Sequence, residues 1–173
     1  MSIVTGLFRD RQSAERAYRA VVERGYDTSD ISLMMSDETR NRCFASADTQ
    51  LARKATEDAE NKAAHHLGGP LGGTLGTIGA ALAALGTAIV LPGLGIVVAG
   101  PIAAALAAAG SVGLAGGLVS ALTHWGIPKM RVEHYETGIR SGGILMSVTP
   151  RSEEDASHFE REWQASGGQH VHA

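Results

Sequence analysis

The fold is decided by residues 2–36, which read SIVTGLFRDRQSAERAYRAVVERGYDTSDISLMMS. Both ends of this stretch are short and rich in apolar residues, which predicts two strands. Asp10 can cap a helix between them, and Gly25 fits the left-handed position that ends such a helix. The apolar face of that helix would consist of Ala14, Tyr18, Val21 and Val22. The sequence therefore predicts a compact β-α-β unit.

Residues 142–173 repeat this order of elements. GILMSVTP predicts a strand, Ser152 can cap the following helix, and QHVHA predicts a last short strand. The inward side of that helix would carry Ala156, Phe159 and Trp163. Neither half buries enough apolar surface to be stable alone. We therefore expect them to combine into a four-stranded sheet with two helices on one face, as in a ferredoxin-like sandwich.

The centre of the chain has no charged residue from Ala63 to Pro128. Within this run, residues 71–91 and 101–123 could each form a helix about 30 Å long, at 1.5 Å per residue. The sequence LPGLG separates them, so the chain would double back as a helical hairpin. The turn would consist of Pro92, Gly93 and Gly95. The predicted fold class is α+β, with split ferredoxin-like β-α-β halves flanking a long Gly/Ala-rich apolar helical hairpin.

Two further segments connect the hairpin to the terminal halves. The segment before it is polar and rich in helix formers. The segment after it, PKMRVEHYETGIRSGG, predicts a helix with Pro128 in or just before its first turn. One side of that helix would carry Val132, Tyr135 and Ile139. The predicted organisation is an N-terminal β-α-β half (1–36), a polar helical linker (37–66), an apolar glycine-zipper helical hairpin (67–127), a connecting helix (128–141) and a C-terminal β-α-β half (142–173).

Small residues recur every four positions in the apolar segment. Gly68, Gly72 and Gly76 form one row, which Ala80 extends. Such spacing leaves a flat helix face that another backbone can approach closely, as in GxxxG association. Each glycine costs about 1 kcal/mol of helix propensity relative to alanine, so this face needs a packing partner. The predicted oligomerisation residues are Gly68, Gly69, Gly72, Gly73, Gly76, Ala80, Ala109, Gly113 and Gly117.

The hairpin leaves two environments open. Its length and lack of charge favour a bilayer, but alanine and glycine drive insertion far less than leucine, isoleucine or phenylalanine do. It would therefore lie at or in the membrane, or be buried at the centre of a soluble homo-oligomer. The start MSIVTGLFRD lacks the features of a signal peptide. We expect a cytoplasmic protein whose partner is itself, associated in the first alternative with the lipid bilayer at the inner face of the cell membrane.

Motifs that carry chemistry are sparse. The sequence contains no G-x-S-x-G elbow, Walker A lysine or H-E-x-x-H, so we expect neither an enzyme nor a cofactor. The net charge of -3 argues against a nucleic-acid partner. The histidines His65, His66, His170 and His172 are weak metal-ligand candidates, because no carboxylate or cysteine stands beside them at a recognised spacing. A small-ligand or metal-responsive module remains an alternative, by analogy of fold alone.

Three stretches together resemble the YflT-type general stress protein family, bacterial proteins described as heat- or low-temperature-induced. They are VTGLFRDRQSAERAYRAVVERGYDTSDISLMM, VLPGLGIVVAGPIAAALAAA and GIPKMRVEHYETGIRSGGILMSV. The resemblance implies a stress-associated, non-enzymatic protein, and it supplies no catalytic residue. Combined with the apolar segment, it leads us to expect a protein that self-associates through a glycine-zipper hairpin at or in the cytoplasmic membrane.

Overall fold

The computed structural model describes residues 3–44, 78, 89–91, 95–108, 122–123 and 127–172. Regular elements account for most of these residues. In chain order they are β1 (Val4–Phe8), α1 (Arg11–Glu23), a 3-10 turn (Thr28–Asp30), β2 (Ile31–Ser36), a helical segment at 37–44, β3 (Ile89–Leu91), β4 (Ile96–Ala99), α2 (Pro101–Ala108), α3 (Lys129–Arg140), β5 (Ile144–Val148), α4 (Glu153–Ala165) and β6 (Gln169–His172).

Six strands of the described chain form one sheet in the order β3-β4-β2-β5-β1-β6, and every neighbouring pair is antiparallel. β5 lies between the two N-terminal strands, with Val148 opposite Val4 of β1 and opposite Ile31 of β2. Strands from the two ends of the chain therefore alternate in the sheet. This mixed α/β architecture with an antiparallel sheet confirms the coarse part of the predicted fold.

The predicted caps of the terminal helices are confirmed. The Asp10 carboxylate accepts hydrogen bonds from the Ser13 backbone N–H at 2.8 Å and from the Ser13 hydroxyl at 2.9 Å. These bonds lower the pKa of Asp10 below its ordinary value, because they favour the charged form. The Ser152 hydroxyl accepts from the Asp155 N–H at 3.1 Å. Gly25 adopts a φ of 85° just after α1.

One face of the sheet is covered by α1 and α4. Trp163 of α4 donates from its indole nitrogen to the Ala17 carbonyl oxygen of α1 at 3.2 Å, which joins the two helices. The prediction for Val22 is wrong, because its side chain is 41% exposed. Ala17 takes the inward place instead, since it lies one helical turn before Val21. The residues buried on this face from the four terminal strands and two helices include Val4, Phe8, Ala14, Tyr18, Ile31, Met35, Ile144, Met146, Ala156 and Phe159.

The opposite face is covered by α2 and α3, so the sheet is sandwiched between two helical layers. Along β5, Leu145 points to this second face while Ile144 and Met146 point to the first. The predicted inward side of α3 is confirmed. The buried residues of the second core are Leu7, Met34, Ile96, Val98, Ile102, Ala103, Leu106, Leu122, Ile127, Val132, Tyr135, Ile139 and Leu145.

The predicted geometry of the central hairpin is wrong at residues 89–91, whereas Pro101–Ala108 is helical as predicted. Residues 89–91 end no helix; they form β3, which pairs with β4 from Ile89 opposite Val98 to Leu91 opposite Ile96. The chain does reverse direction between Leu91 and Ile96, but it does so between two strands, and Gly95 has a φ of 60° before β4. β-branched residues dominate both sides of the turn, and these favour strands over helices.

The hairpin of β3 and β4 extends the sheet beyond β2. β4 pairs with β2 from Leu33 opposite Ala99 to Ser36 opposite Ile96. An unpaired β2 edge would expose a row of backbone donors and acceptors, which β4 satisfies. Part of the charge-free run is therefore buried within the chain's own domain rather than in a separate hairpin.

The linker begins as a helix directly after β2. The Ser36 hydroxyl accepts from the Thr39 backbone N–H at 3.1 Å, and the helical segment runs through residues 37–44. Phe44, at its end, is fully buried in the first core. The first residues of the predicted polar linker therefore contribute to the core. The rest of the linker, residues 45–66, lies outside the described residues.

Candidate functional site

α2 is apolar on every side. Ile102, Ala103 and Leu106 are buried against the sheet. Its outward positions Ala104, Ala105 and Ala107 are exposed. A globular-protein helix normally turns polar residues to water, and a helix that is apolar all round is normally buried. The outer side of α2 therefore has the composition of a buried surface.

The other long helices follow the ordinary rule. Their outward positions are charged or polar, among them Arg16, Arg19 and Glu23 on α1, Glu133 on α3, and Arg161 and Glu162 on α4. Because all of these helices belong to one sandwich, the contrast is not a property of the fold class. It is a local property of the charge-free segment, and α2 is the described helix through which that segment reaches the surface.

The backbone around α2 is held tightly in place. Gly100, between β4 and α2, has a φ of 90°, and an added Cβ would overlap the Ile31 carbonyl oxygen. The Ile102 backbone N–H donates to the Ser32 hydroxyl at 3.2 Å. β2 therefore fixes the start of α2, and the outward alanines are a fixed part of the folded domain.

β3 is the outermost strand on the same side of the sheet. Among the described residues β3 pairs with β4 alone, and Val90 is 49% exposed. A short apolar edge strand is the kind of surface to which another chain can add by backbone pairing. Like α2, it belongs to the charge-free run.

The predicted oligomerisation residues lie outside the described residues, so their mutual placement stays a prediction. They are Gly68, Gly69, Gly72, Gly73, Gly76, Ala80, Ala109, Gly113 and Gly117. The same holds for Pro92 and Gly93 of the predicted turn and for His65 and His66. Within the part of the chain that the structure describes, no helix combines the length and apolar character needed to cross a membrane.

The two described metal-ligand candidates, His170 and His172, both lie on β6. The structure places His170 beside His134 of α3, with ring centroids 5.3 Å apart. Sequence reasoning missed His134, because no motif links two histidines 36 positions apart. Among the described residues, no group of three or more His, Cys, Asp or Glu side chains could hold a metal ion.

A buried chain of hydroxyls lies below this histidine pair. Tyr135 donates its hydroxyl hydrogen to the His170 carbonyl oxygen at 2.8 Å and accepts from the Thr5 hydroxyl at 2.9 Å. Burial raises the pKa of Tyr135 above its ordinary value of 10.0. The chain ties α3 to β1 and β6, and it fixes the backbone at His170.

A second polar cluster ties the N-terminal half to the C-terminal half. Asp155 accepts from Arg24 at 2.8 Å and from the Tyr26 hydroxyl at 2.8 Å. Arg151 donates its backbone N–H to the Tyr26 oxygen at 2.6 Å and its guanidinium lies over the Tyr26 ring, 4.2 Å from the centroid. The hydrogen bond from Arg24 lowers the pKa of Asp155. Because these groups satisfy one another, we interpret the cluster as a structural lock.

Comparison of the chain with models of known protein families, with curated proteins and with solved structures finds no match. The resemblance to the YflT-type family therefore stays an expectation from the sequence.

Proposed function

We propose that this chain is a non-enzymatic, stress-associated protein that self-associates through its uncharged central segment at the cytoplasmic face of a membrane. The folded α/β domain presents that segment, and copies of the chain assemble through it. The assignment to stress rests on the resemblance to the YflT-type family.

The observation that carries the proposal is the outer side of α2. It is rigidly attached to the sheet, yet its exposed residues Ala104, Ala105 and Ala107 carry no polar group. The segment on both sides of α2 has no charged residue from Ala63 to Pro128. A surface of this composition is stabilised when apolar area leaves water, at about 25 cal/mol per Å².

The small residues of the central segment suit contact between copies. Gly72 and Gly76 lie four positions apart, as do Gly113 and Gly117. In a helix, this spacing lets a second backbone approach closely enough for extensive van der Waals contact. The described part of the segment already packs on its own domain, so self-association falls to the remaining residues and to the outer side of α2.

The membrane is the expected setting, and a soluble assembly is the alternative. Fractionation of the full chain with and without detergent separates them. Sedimentation with membranes, and release by detergent, supports the membrane setting. A supernatant particle of several chains, free of lipid, supports the soluble assembly.

The contact itself is tested by the double substitution Gly72→Leu and Gly76→Leu, followed by mass measurement of the intact particle. We expect a smaller particle, because two leucine side chains would separate the helix faces. The matched control is Arg161→Leu with Ala165→Leu, two exposed positions four residues apart on α4. This control places the same pair of leucines, four residues apart, outside the segment and should leave the mass unchanged. A wild-type chain that is monomeric in plain buffer, or an unchanged mass in the glycine variant, would refute the proposal.

We further propose that β1, α1, β2, β5, α4 and β6 constitute a split ferredoxin-like unit. Their strand order, β2-β5-β1-β6, and the antiparallel pairing of all neighbours support this assignment. The central segment is then an insertion between the two β-α-β halves, and part of it has been recruited to enlarge the sheet.

A further inference from the structure

We propose that His134 and His170 together bind one divalent transition-metal ion, with water in the remaining coordination positions. The two residues come from α3 and β6, and both are exposed at the β6 edge of the sheet. The proposed site is independent of the self-association described above.

The separation of the rings fits shared coordination. A metal ion lies about 2.0–2.1 Å from an imidazole nitrogen, and thus about 3.2 Å from the ring centroid. Two imidazoles at a tetrahedral angle then have centroids about 5.2 Å apart. The observed distance between the His134 and His170 centroids is 5.3 Å, with the ring planes tilted by 49°. The separation of the two rings is therefore the one that shared tetrahedral coordination requires.

The hydrogen bonding of His134 leaves one nitrogen for a ligand role. Its Nδ1 lies 2.6 Å from the Met130 carbonyl oxygen, one helical turn earlier in α3. A carbonyl oxygen only accepts, so the Nδ1 of a neutral His134 carries the hydrogen and the lone pair is on Nε2. Metal-binding histidines usually donate their second nitrogen in this way, which fixes the ring and increases its basicity.

The backbone of His170 is held in an unusual conformation that keeps its ring near His134. Its φ is 51°, the one positive value among the described residues other than glycine. Such a conformation persists only where the surroundings enforce it, and it is concentrated at functional sites. Here the register between β6 and β1 shifts between Gln169 and His172, so His170 lies in an irregular, bulge-like stretch of the strand, and Tyr135 holds its carbonyl oxygen by a hydrogen bond of 2.8 Å. Tyr135 follows His134 directly, so one helical turn positions both imidazoles.

Two imidazoles select the class of ion. They suit Ni²⁺, Cu²⁺ and Zn²⁺ better than Mg²⁺ or Ca²⁺, which prefer oxygen ligands. His172 does not belong to the proposed site, because no third potential ligand joins the pair among the described residues.

The test is titration calorimetry of the full chain with Zn²⁺, the ion that prefers tetrahedral coordination, in buffer or in the detergent that keeps the chain dispersed. We expect one ion per chain, and at least about tenfold weaker binding in His134→Gln and in His170→Asn. Asparagine is chosen at position 170 because it tolerates a positive φ. The controls His158→Gln and His172→Gln should bind as the wild type does.

A second measurement does not depend on the variants. In the wild-type chain, substoichiometric Cu²⁺ should broaden the imidazole NMR signals of His134 and His170 together, before those of the other histidines. Absence of binding, binding that survives either key substitution, or broadening of only one of the two rings would overturn the proposal. The oligomer mass is unaffected by these substitutions if the proposal is right, so its failure leaves the proposed self-association untouched.

Discussion

Replacing Tyr135 with phenylalanine tests how α3 is held against the sheet. The substitution keeps the ring and removes the hydroxyl, which bridges Thr5 on β1 and the His170 carbonyl on β6. Thr5 is 2% exposed, so its hydroxyl is left in the core without this partner. A buried polar group that loses its partner costs about 1–3 kcal/mol. The His170 carbonyl belongs to an exposed residue and regains water, so we expect a total loss of about 2 kcal/mol in the free energy of unfolding.

Removing both partners should cost less than the sum of the two single changes. In Thr5→Val with Tyr135→Phe, no hydroxyl of the pair is left buried, because valine has the shape of threonine without its polar group. We expect a coupling energy of about 1 kcal/mol between the two positions. Urea unfolding followed by circular dichroism measures all four proteins, at one protein concentration because oligomerisation shifts apparent stability.

The matched control lies on the outer side of the same helix. Thr137 is exposed and donates its hydroxyl to the Glu133 carbonyl oxygen, so Thr137→Val should change stability by less than about 0.5 kcal/mol. A loss below about 0.5 kcal/mol in Tyr135→Phe, or strictly additive losses in the double variant, would show that α3 does not reach β1 and β6 through this hydroxyl chain.

Two further predictions address the sheet extension and the lock between the halves. Gly100→Ala should destabilise the domain by more than about 3 kcal/mol, because it combines a φ of 90° with overlap on the Ile31 carbonyl oxygen. Gly95 has a φ of 60° but open space around an added Cβ, so Gly95→Ala should cost only about 1–2 kcal/mol. Equal melting temperatures for the two variants would contradict the pairing of β4 with β2. The pKa of Asp155 is lowered below 3.8 by Arg24, so its contribution to stability is present above that value and is lost as the pH falls through the lower folded value. Asp155→Asn should therefore lose less melting temperature than the wild type between about pH 5 and pH 2.5, and parallel curves would count against the lock.

The terminal elements could be predicted from the sequence because their signals are local. Asp10 and Ser152 each stand before a run of helical period, and each cap forms within three residues of its partner. Gly25 ends α1 for the equally local reason that glycine tolerates a positive φ. The inward residues of α3 follow from the period of 3.6 alone.

The part of the central segment around LPGLG was misinterpreted because its signals are ambiguous. An apolar run of alanine, glycine, leucine, isoleucine and valine gives no alternation of polar and apolar residues, so periodicity could not separate a helix from a buried strand. The decisive signal was the β-branched composition around LPGLG, which is weaker than the length of the run. The residues around LPGLG form strands β3 and β4 because the backbone groups at the edge of β2 pair with β4.

Of the two candidate sites, one could be predicted in part from the sequence and the other could not. The apolar character of α2 could be read from the sequence, but its exposure depends on which side the sheet covers. The pairing of His134 with His170 could not be predicted, because these positions are far apart in the chain and become neighbours only when β6 pairs with β1 and Tyr135 bonds to the His170 carbonyl.

The sequence by itself determined where helices and strands of the terminal halves begin and end, since caps, turns and periodicity act between residues a few positions apart. It also determined that the middle of the chain carries no charge. The tertiary structure alone decided that part of this middle joins the sheet, which helices cover each face, and which exposed side chains meet. Those outcomes depend on backbone groups and apolar surfaces that are satisfied only by partners distant in sequence, and a local pattern carries no information about them.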